Sequence, residues 1–325
     1  MLGLSGCAGN GGSGNGSYPQ EDLTIIVPYG EGGGTDTYAR QVASPLSDQL
    51  GVNVVVENMT GAGGARGTGE AITNGDEYTL LANNLAIMPS AILQTRPPWA
   101  GQLPDIVPVY GYGYNANVLI GQPDKAQNFE EFIEMIQTDS INTVSTVGPG
   151  SGGDMVMSAL VTFDEYPIED SDFETVPYDS GAEVGRAVTS GEVDVGITAA
   201  TPLAAAYDGS NFTPLVSFSS QGSPVFPDIP TVVDLGYNNM DTIGQNTRCL
   251  WMSPGTSQEK AQTISTAVSE AIKAESVQSW AEETGNPTTN IKPDELEGLL
   301  VDSMKILPTI LGVESIDGWP QPDRN

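Results

Sequence analysis

At 325 residues the chain is long for one ordinary core and short for three, which predicts an α/β protein of two lobes with a cleft between them. Histidine is absent, which excludes Ser-His-Asp and Cys-His nucleophile systems, imidazole bases and histidine-bearing zinc sites. Asp and Glu number 42 against 11 Lys and Arg, a formal charge of -31, so nucleic acid is repelled and the dense acidic coat suits a salt-loving source.

Close to the first residue lies Leu4-Ser5-Gly6-Cys7, the small-residue pattern of a lipoprotein cleavage site, followed by the glycine-rich run from Ala8 to Ser17. This predicts an exported protein carrying a lipid on Cys7, with residues 1–22 as leader and tether. No apolar run is long enough to span a bilayer, so contact with a membrane is expected only through that lipid. Leu23 to Tyr29 reads as a buried strand that stops at Gly30-Glu31-Gly32-Gly33-Gly34-Thr35-Asp36. A helix follows with Tyr38, Val42, Leu46 and Leu50 at every fourth position, ending at Gly51. Val52 to Glu57 and Tyr78 to Ala82 are expected as further strands around a helix from Thr68, an alternation that indicates a parallel sheet.

The middle of the chain repeats this scheme. Val118 to Ile120 is strand-like, Asn128 caps a helix from Phe129 to Ile136, and Thr143 to Val147 is a strand. Gly148-Pro149-Gly150-Ser151-Gly152-Gly153-Asp154 then leads into an apolar helix from Met155 to Phe163. Val193 to Ile197 and Leu215 to Phe218 are further strands. Thr256-Ser257-Gln258-Glu259 is read as a capping box for a helix through Ile264, Val268 and Ile272, and Pro293 opens the last helix.

Two segments bring chemistry. Gly32, Gly33, Gly34, Thr35 and Asp36 deliver a strand to a helix start, where unpaired N–H groups and the positive dipole end suit an anion, although a plain turn with Asp36 as cap fits the same residues. Gly148, Gly150 and Gly153 match G-x-G-x-x-G, with Glu174 about twenty residues on, as a dinucleotide site asks. Pro149 within the turn argues against that reading; the loop can instead hold a carboxylate on backbone N–H groups and the Ser151 hydroxyl. The acidic cluster Glu165, Glu169, Asp170 and Asp172 is read as a solvated loop, Tyr110, Tyr112 and Tyr114 as packing, and Cys249 as an inert core thiol. No metal site and no cofactor are expected.

Ile26 to Asp36, followed by Val54-Val55-Val56-Glu57-Asn58-Met59-Thr60-Gly61-Ala62-Gly63-Gly64, resembles the opening of the solute receptors of tripartite tricarboxylate transporters, the Bug or TctC family. Tyr78 to Leu81, Ala86 to Pro89, Gly148 to Gly152, Val176-Pro177-Tyr178, Gly191 to Val195 and Phe226 to Val232 continue the similarity in the family's order. The resemblance implies a type II periplasmic-binding-protein fold, with lobe 1 formed by 23–117 plus 226–325 and lobe 2 by 118–225. It implies an extracytoplasmic, monomeric receptor, not an enzyme, that captures a small carboxylate and delivers it to a membrane permease driven by an ion gradient. A chemosensory receptor of the same fold, or an extracellular hydrolase using an Asp pair, are the alternatives. By the resemblance, the ligand is held by Tyr29, Gly32 to Asp36 and Ser151 to Gly153, with Asn84, Tyr178, Gly181, Thr198 and Ala199 on cleft-facing segments. Arg66, Arg248 and the insert around Arg96-Pro97-Pro98-Trp99 depart from the family's pattern.

Overall fold

The computed structural model describes residues 18–169, 172–204, 206–238 and 240–321; Cys7 and Asp170 lie outside them. Tyr18, inside the expected tether, is packed: its ring lies 5.6 Å from that of Tyr78, and its hydroxyl donates to the Glu77 carbonyl.

The chain opens with β1 (Leu23–Val27), α1 (Gly34–Leu50), β2 (Val54–Asn58), α2 (Ala65–Thr73), β3 (Thr79–Asn84), α3 (Ile87–Thr95) and β4 (Val107–Gly113). Leu23, Ile25, Ile26 and Val27 are all buried because helices cover both faces of β1, as a continuous apolar run in a parallel sheet requires. β1 pairs in parallel with both β2 and β3. The apolar stripe of α1, with Tyr38, Val42 and Leu46, lies against the sheet, and Gly51 ends the helix in the left-handed conformation at φ 71°.

Then come β5 (Asn117–Gly121), α4 (Phe129–Gln137), β6 (Thr143–Thr146), α5 (Gly152–Thr162), β7 (Glu174–Pro177), α6 (Gly181–Ser190), β8 (Val195–Ala199), α7 (Thr201–Ala204) and β9 (Thr213–Ser217). Asn128 caps α4 by accepting from the Glu131 amide. The chain ends with α8 (Asp241–Gly244), β10 (Arg248–Met252), α9 (Gln258–Ala271), α10 (Glu275–Thr284), β11 (Thr288–Ile291) and α11 (Pro293–Ile310). The cap of α9 is Ser257, which accepts from the Lys260 amide, one residue later than the capping box Thr256-x-x-Glu259 would have it.

The strands form two sheets. One has the order β11-β4-β10-β3-β1-β2, the other β7-β6-β8-β5-β9. The chain passes from the first to the second between Gly113 and Asn117 and returns between Ser217 and Arg248. These two crossings run side by side: Ala116 bridges Gln245, and the Asn246 amide donates to the Asn115 carbonyl at 3.0 Å. One apolar core is continuous across both sheets. It joins Leu81, Met88 and Ile92 to Phe129, Met155 and Ile197, with Leu296, Leu300 and Met304 of α11 among them. α11 packs on β4 and α3 and also on α5 and α8. Among the described residues no helix is long and apolar enough to cross a membrane.

Candidate functional site

The loops after β1 and β6 are built alike. Gly30, Gly32, Gly34 and Asp36 have the same spacing as Gly148, Gly150, Gly152 and Asp154. Gly32 and Gly150 adopt left-handed backbone, at φ +76° and +77°, which glycine reaches without a Cβ penalty. In each loop the carboxylate at the third helical position reaches back: Asp36 Oδ2 accepts from the Gly32 amide, and Asp154 Oδ2 from the Gly150 amide, both at 2.8 Å. That bond satisfies the turn and leaves the first-turn amides of the helix to point outward. α1 has no side-chain cap at all, whereas Ser151 Oγ accepts from the Asp154 amide at the start of α5.

The two carboxylates differ in environment. Burial works to raise the pKa of Asp36, but Arg40 at 3.0 Å, the Gly32 amide and Asn58 outweigh it and hold the group below its ordinary value. Burial raises Asp154, and only the Gly150 amide opposes it.

Both loops open on one cleft of about 630 Å³. Tyr29 and Gly30 line it from one sheet's side and Pro149, Gly150 and Ser151 from the other's, with Gly61 to Gly64 and Gln94 of α3 along the rim. Behind the cleft runs a chain of buried carboxamides. Asn84 Nδ2 donates to Asn246 Oδ1 at 3.4 Å, Asn246 Nδ2 to Asn117 Oδ1 at 3.0 Å, and Asn117 Nδ2 to the Ile243 carbonyl at 3.1 Å. This chain lies against the start of α5, since a Cβ on Gly152 would stand 2.5 Å from Asn117 Nδ2 and 2.8 Å from Asn246 Oδ1.

The other expected site residues are placed as follows. The Tyr29 hydroxyl donates to Asn83 Oδ1 at 2.7 Å, and burial raises its pKa. Gly32, Gly33 and Gly34 are exposed, while Thr35 and Asp36 are buried. Asn84 Oδ1 accepts from the amides of Ala86 and Ile87, so it caps the start of α3. Gly153 packs on the backbone of β8 at Ile197. Tyr178 follows β7, half-buried; Gly181 starts α6 against Thr198, and Ala199 pairs with Asn117 at the end of β8. These last four stand beside the second loop; of all the expected ligand residues only Tyr29 and Ser151 line the 630 Å³ cleft itself, and Gly32 to Asp36, Asn84, Gly152 and Gly153 do not.

Sequence reasoning passed over Asn117, Asn246 and Asp154. It singled out Arg248, with Arg66, as a departure from a pattern and left open whether either reaches the ligand. Arg66 is exposed at the cleft rim, where its stem covers Gly61 and its guanidinium donates to the Thr60 carbonyl at 3.4 Å. Among the described residues no group of three or more Cys, Asp and Glu side chains is arranged to hold a metal ion.

A sequence profile described as the tripartite tricarboxylate transporter family receptor (TctC) matches residues 38–311. The protein BugT of Bordetella pertussis is 26% identical over 305 residues, covering 89% of this chain and 88% of its own. A TctC solute-binding protein from Polaromonas, solved without ligand, superposes with a TM-score of 0.78 at 20% identity, covering 91% of this chain and 99% of its own. MatC of Rhodopseudomonas palustris, solved with bound malate, superposes with a TM-score of 0.66 at 22% identity, covering 90% and 100%. The two sheets, their crossings and this likeness make the architecture that of the two-lobed periplasmic binding proteins. With most of the chain matched to its profile, the protein belongs to the receptor family of the tripartite tricarboxylate transporters.

Proposed function

We propose that this extracytoplasmic receptor captures a small organic acid in the cleft and holds its carboxylate groups on main-chain donors at the starts of α1 and α5. The observation that carries the reading is the duplicated glycine loop: Tyr29 and Gly30 of one copy and Pro149 to Ser151 of the other line one 630 Å³ cleft, and each copy leads within a few residues to a helix start. On this reading lobe 1 comprises 23–117 and 226–325, lobe 2 comprises 118–225, and a ligand touching both favours the closed form by its extra affinity for that form. The receptor works as a monomer, hands its acid to membrane permease subunits and performs no chemistry on it. The acidic surface belongs to a protein working at high salt, where a Debye length of about 3 Å at 1 M removes its long-range repulsion of anions.

Thermal unfolding in molar KCl with malate, succinate and butyrate tests this. An acid at 100 times its Kd stabilises the folded state by about 2.7 kcal/mol, so a clear rise in Tm is expected with at least one dicarboxylate. No rise with any acid across such a panel counts against the reading. The anchor is part of the proposal too: Cys7→Ser, expressed in the native host, is expected to release the protein into the medium, and unchanged membrane association would exclude lipid attachment at Cys7.

A further inference from the structure

Arg248 is the first residue of β10, directly after the crossing segment, and only 8% of its surface is exposed. Burying a guanidinium without a counter-charge is costly, so such groups are ordinarily paired. This one is not. Among the described residues Arg248 takes part in none of the ion pairs, and its Nε has no hydrogen-bond partner. Its Nη1 donates to the Asn246 carbonyl, and the guanidinium carbon lies 5.8 Å above the Tyr38 ring. The one carboxylate on the first turn of α1, Asp36, is committed to Arg40, Asn58 and the Gly32 amide.

The cation is aimed at the start of α1. A Cβ on Gly34 would stand 2.8 Å from Arg248 Nη2, so the tip of the guanidinium lies directly against this exposed glycine at the first helical position. The positive end of a 17-residue helix, without a side-chain cap, thus sits beside an unpaired cation. Like charges so placed raise the energy of the empty protein, and an anion shared between them lowers it.

We propose that Arg248 is the charge that selects the ligand: with the first-turn amides of α1 it binds one carboxylate, while a second carboxylate of the same molecule falls at the start of α5. The proposal rests on the receptor reading above and adds that the ligand is a dianion recognised by a side-chain cation. Arg248 Nη1 is tied to the carbonyl of Asn246, whose side chain bonds Asn117 beside Gly152, so one connected set of contacts spans both helix starts.

Wild type, Arg248→Met and Arg248→Lys are compared by calorimetry with succinate and with butyrate, and by the Tm of the ligand-free proteins. Arg248→Met is expected to lose succinate affinity roughly 10- to 100-fold, as loss of a charge-assisted carboxylate contact implies, with butyrate changed only a few-fold. Its ligand-free Tm is expected to equal or exceed wild type, because an uncompensated charge has gone. Arg248→Lys keeps the charge but not the two-pronged fork, so it is expected to fall between, and it carries the test if the methionine variant does not fold. Succinate affinity kept within about threefold in Arg248→Met, or undiminished in Arg248→Lys where the methionine variant does not fold, would overturn the proposal and leave the receptor reading standing. Equal loss of both acids with a lowered ligand-free Tm would likewise overturn it, as the mark of a structural residue. If wild type binds neither acid, the carboxylate reading itself falls and the role of Arg248 falls with it.

Discussion

Gly152→Val is expected to lower affinity for the organic acid at least about 100-fold, which corresponds to about 2.7 kcal/mol. A Cβ there already meets Asn117 Nδ2 at 2.5 Å and Asn246 Oδ1 at 2.8 Å, and valine adds two methyl groups. The Asn117–Asn246 bond must break or the start of α5 must withdraw, and either outcome spoils the donors presented to the ligand. Gly33→Val is expected to cost less. Gly33 has φ −69°, which valine adopts, and its Cβ would meet only the Gly30 carbonyl, at 3.1 Å. The backbone angles that demand glycine belong instead to Gly32 and Gly150, one position before Gly33 and two before Gly152. Ser257→Ala serves as the control, since losing that cap costs about 1 kcal/mol of stability far from the cleft and should leave affinity unchanged. Calorimetry at several KCl concentrations at which the protein stays folded measures both effects. Affinity is expected to hold or rise with salt, because short buried contacts are screened far less than the −31 overall charge. Undiminished affinity in Gly152→Val would place the acid elsewhere.

Gly153→Val is expected to act on folding rather than on recognition, with a loss of at least about 3 kcal/mol, the upper end of the cost of overpacking. Its Cβ would stand 2.1 Å from the Ile197 carbonyl oxygen and 2.9 Å from the carbonyl carbon. Both are backbone atoms of β8, a central strand of its sheet, so no rotamer change relieves the contact. Urea unfolding at constant salt checks this through the transition midpoint. A loss below about 1 kcal/mol would mean that α5 can lift from the sheet at little cost. The neighbouring glycines 152 and 153 thus separate the two demands on one helix start: room at its tip and close packing at its base.

Much of this arrangement is legible in the sequence wherever local chemistry decides the structure. The i, i+4 series from Tyr38 to Leu50, the cap at Asn128, Pro293 at a first helical position and the glycine turns all act within a few residues, and they appear where expected. α3 was hidden because Met88, Ile92 and Leu93 are buried together with Pro89 and Ser90, which blurs the helical period. β11, Thr288–Ile291, is a polar edge strand whose existence depends on pairing with β4. The twin loops were present in the letters, but reading Gly148, Gly150 and Gly153 as a dinucleotide fingerprint picks out the wrong spacing; Gly148, Gly150, Gly152 and Asp154 is the spacing that repeats. The isolation of Arg248 is a tertiary fact. It arises because β10 is inserted between β3 and β4, placing the residue opposite Asn84 and Gly113 rather than opposite an acid.

The apolar core that runs through both sheets bears on how quickly ligand comes and goes. Two bodies joined by bare strands can swing wide at little cost, but here separation would expose part of a core that joins Met88 and Leu81 to Phe129 and Met155, with α11 packed on both sides. On the proposed two-lobe reading, opening is expected to proceed by small sliding of packed helices, its amplitude bounded by the apolar surface it uncovers, at about 25 cal/mol for each Å². A binding site kept so near its working geometry loses little freedom when it is filled. Differences in affinity between acids should then lie mainly in residence time, with entry rates nearly the same for all of them.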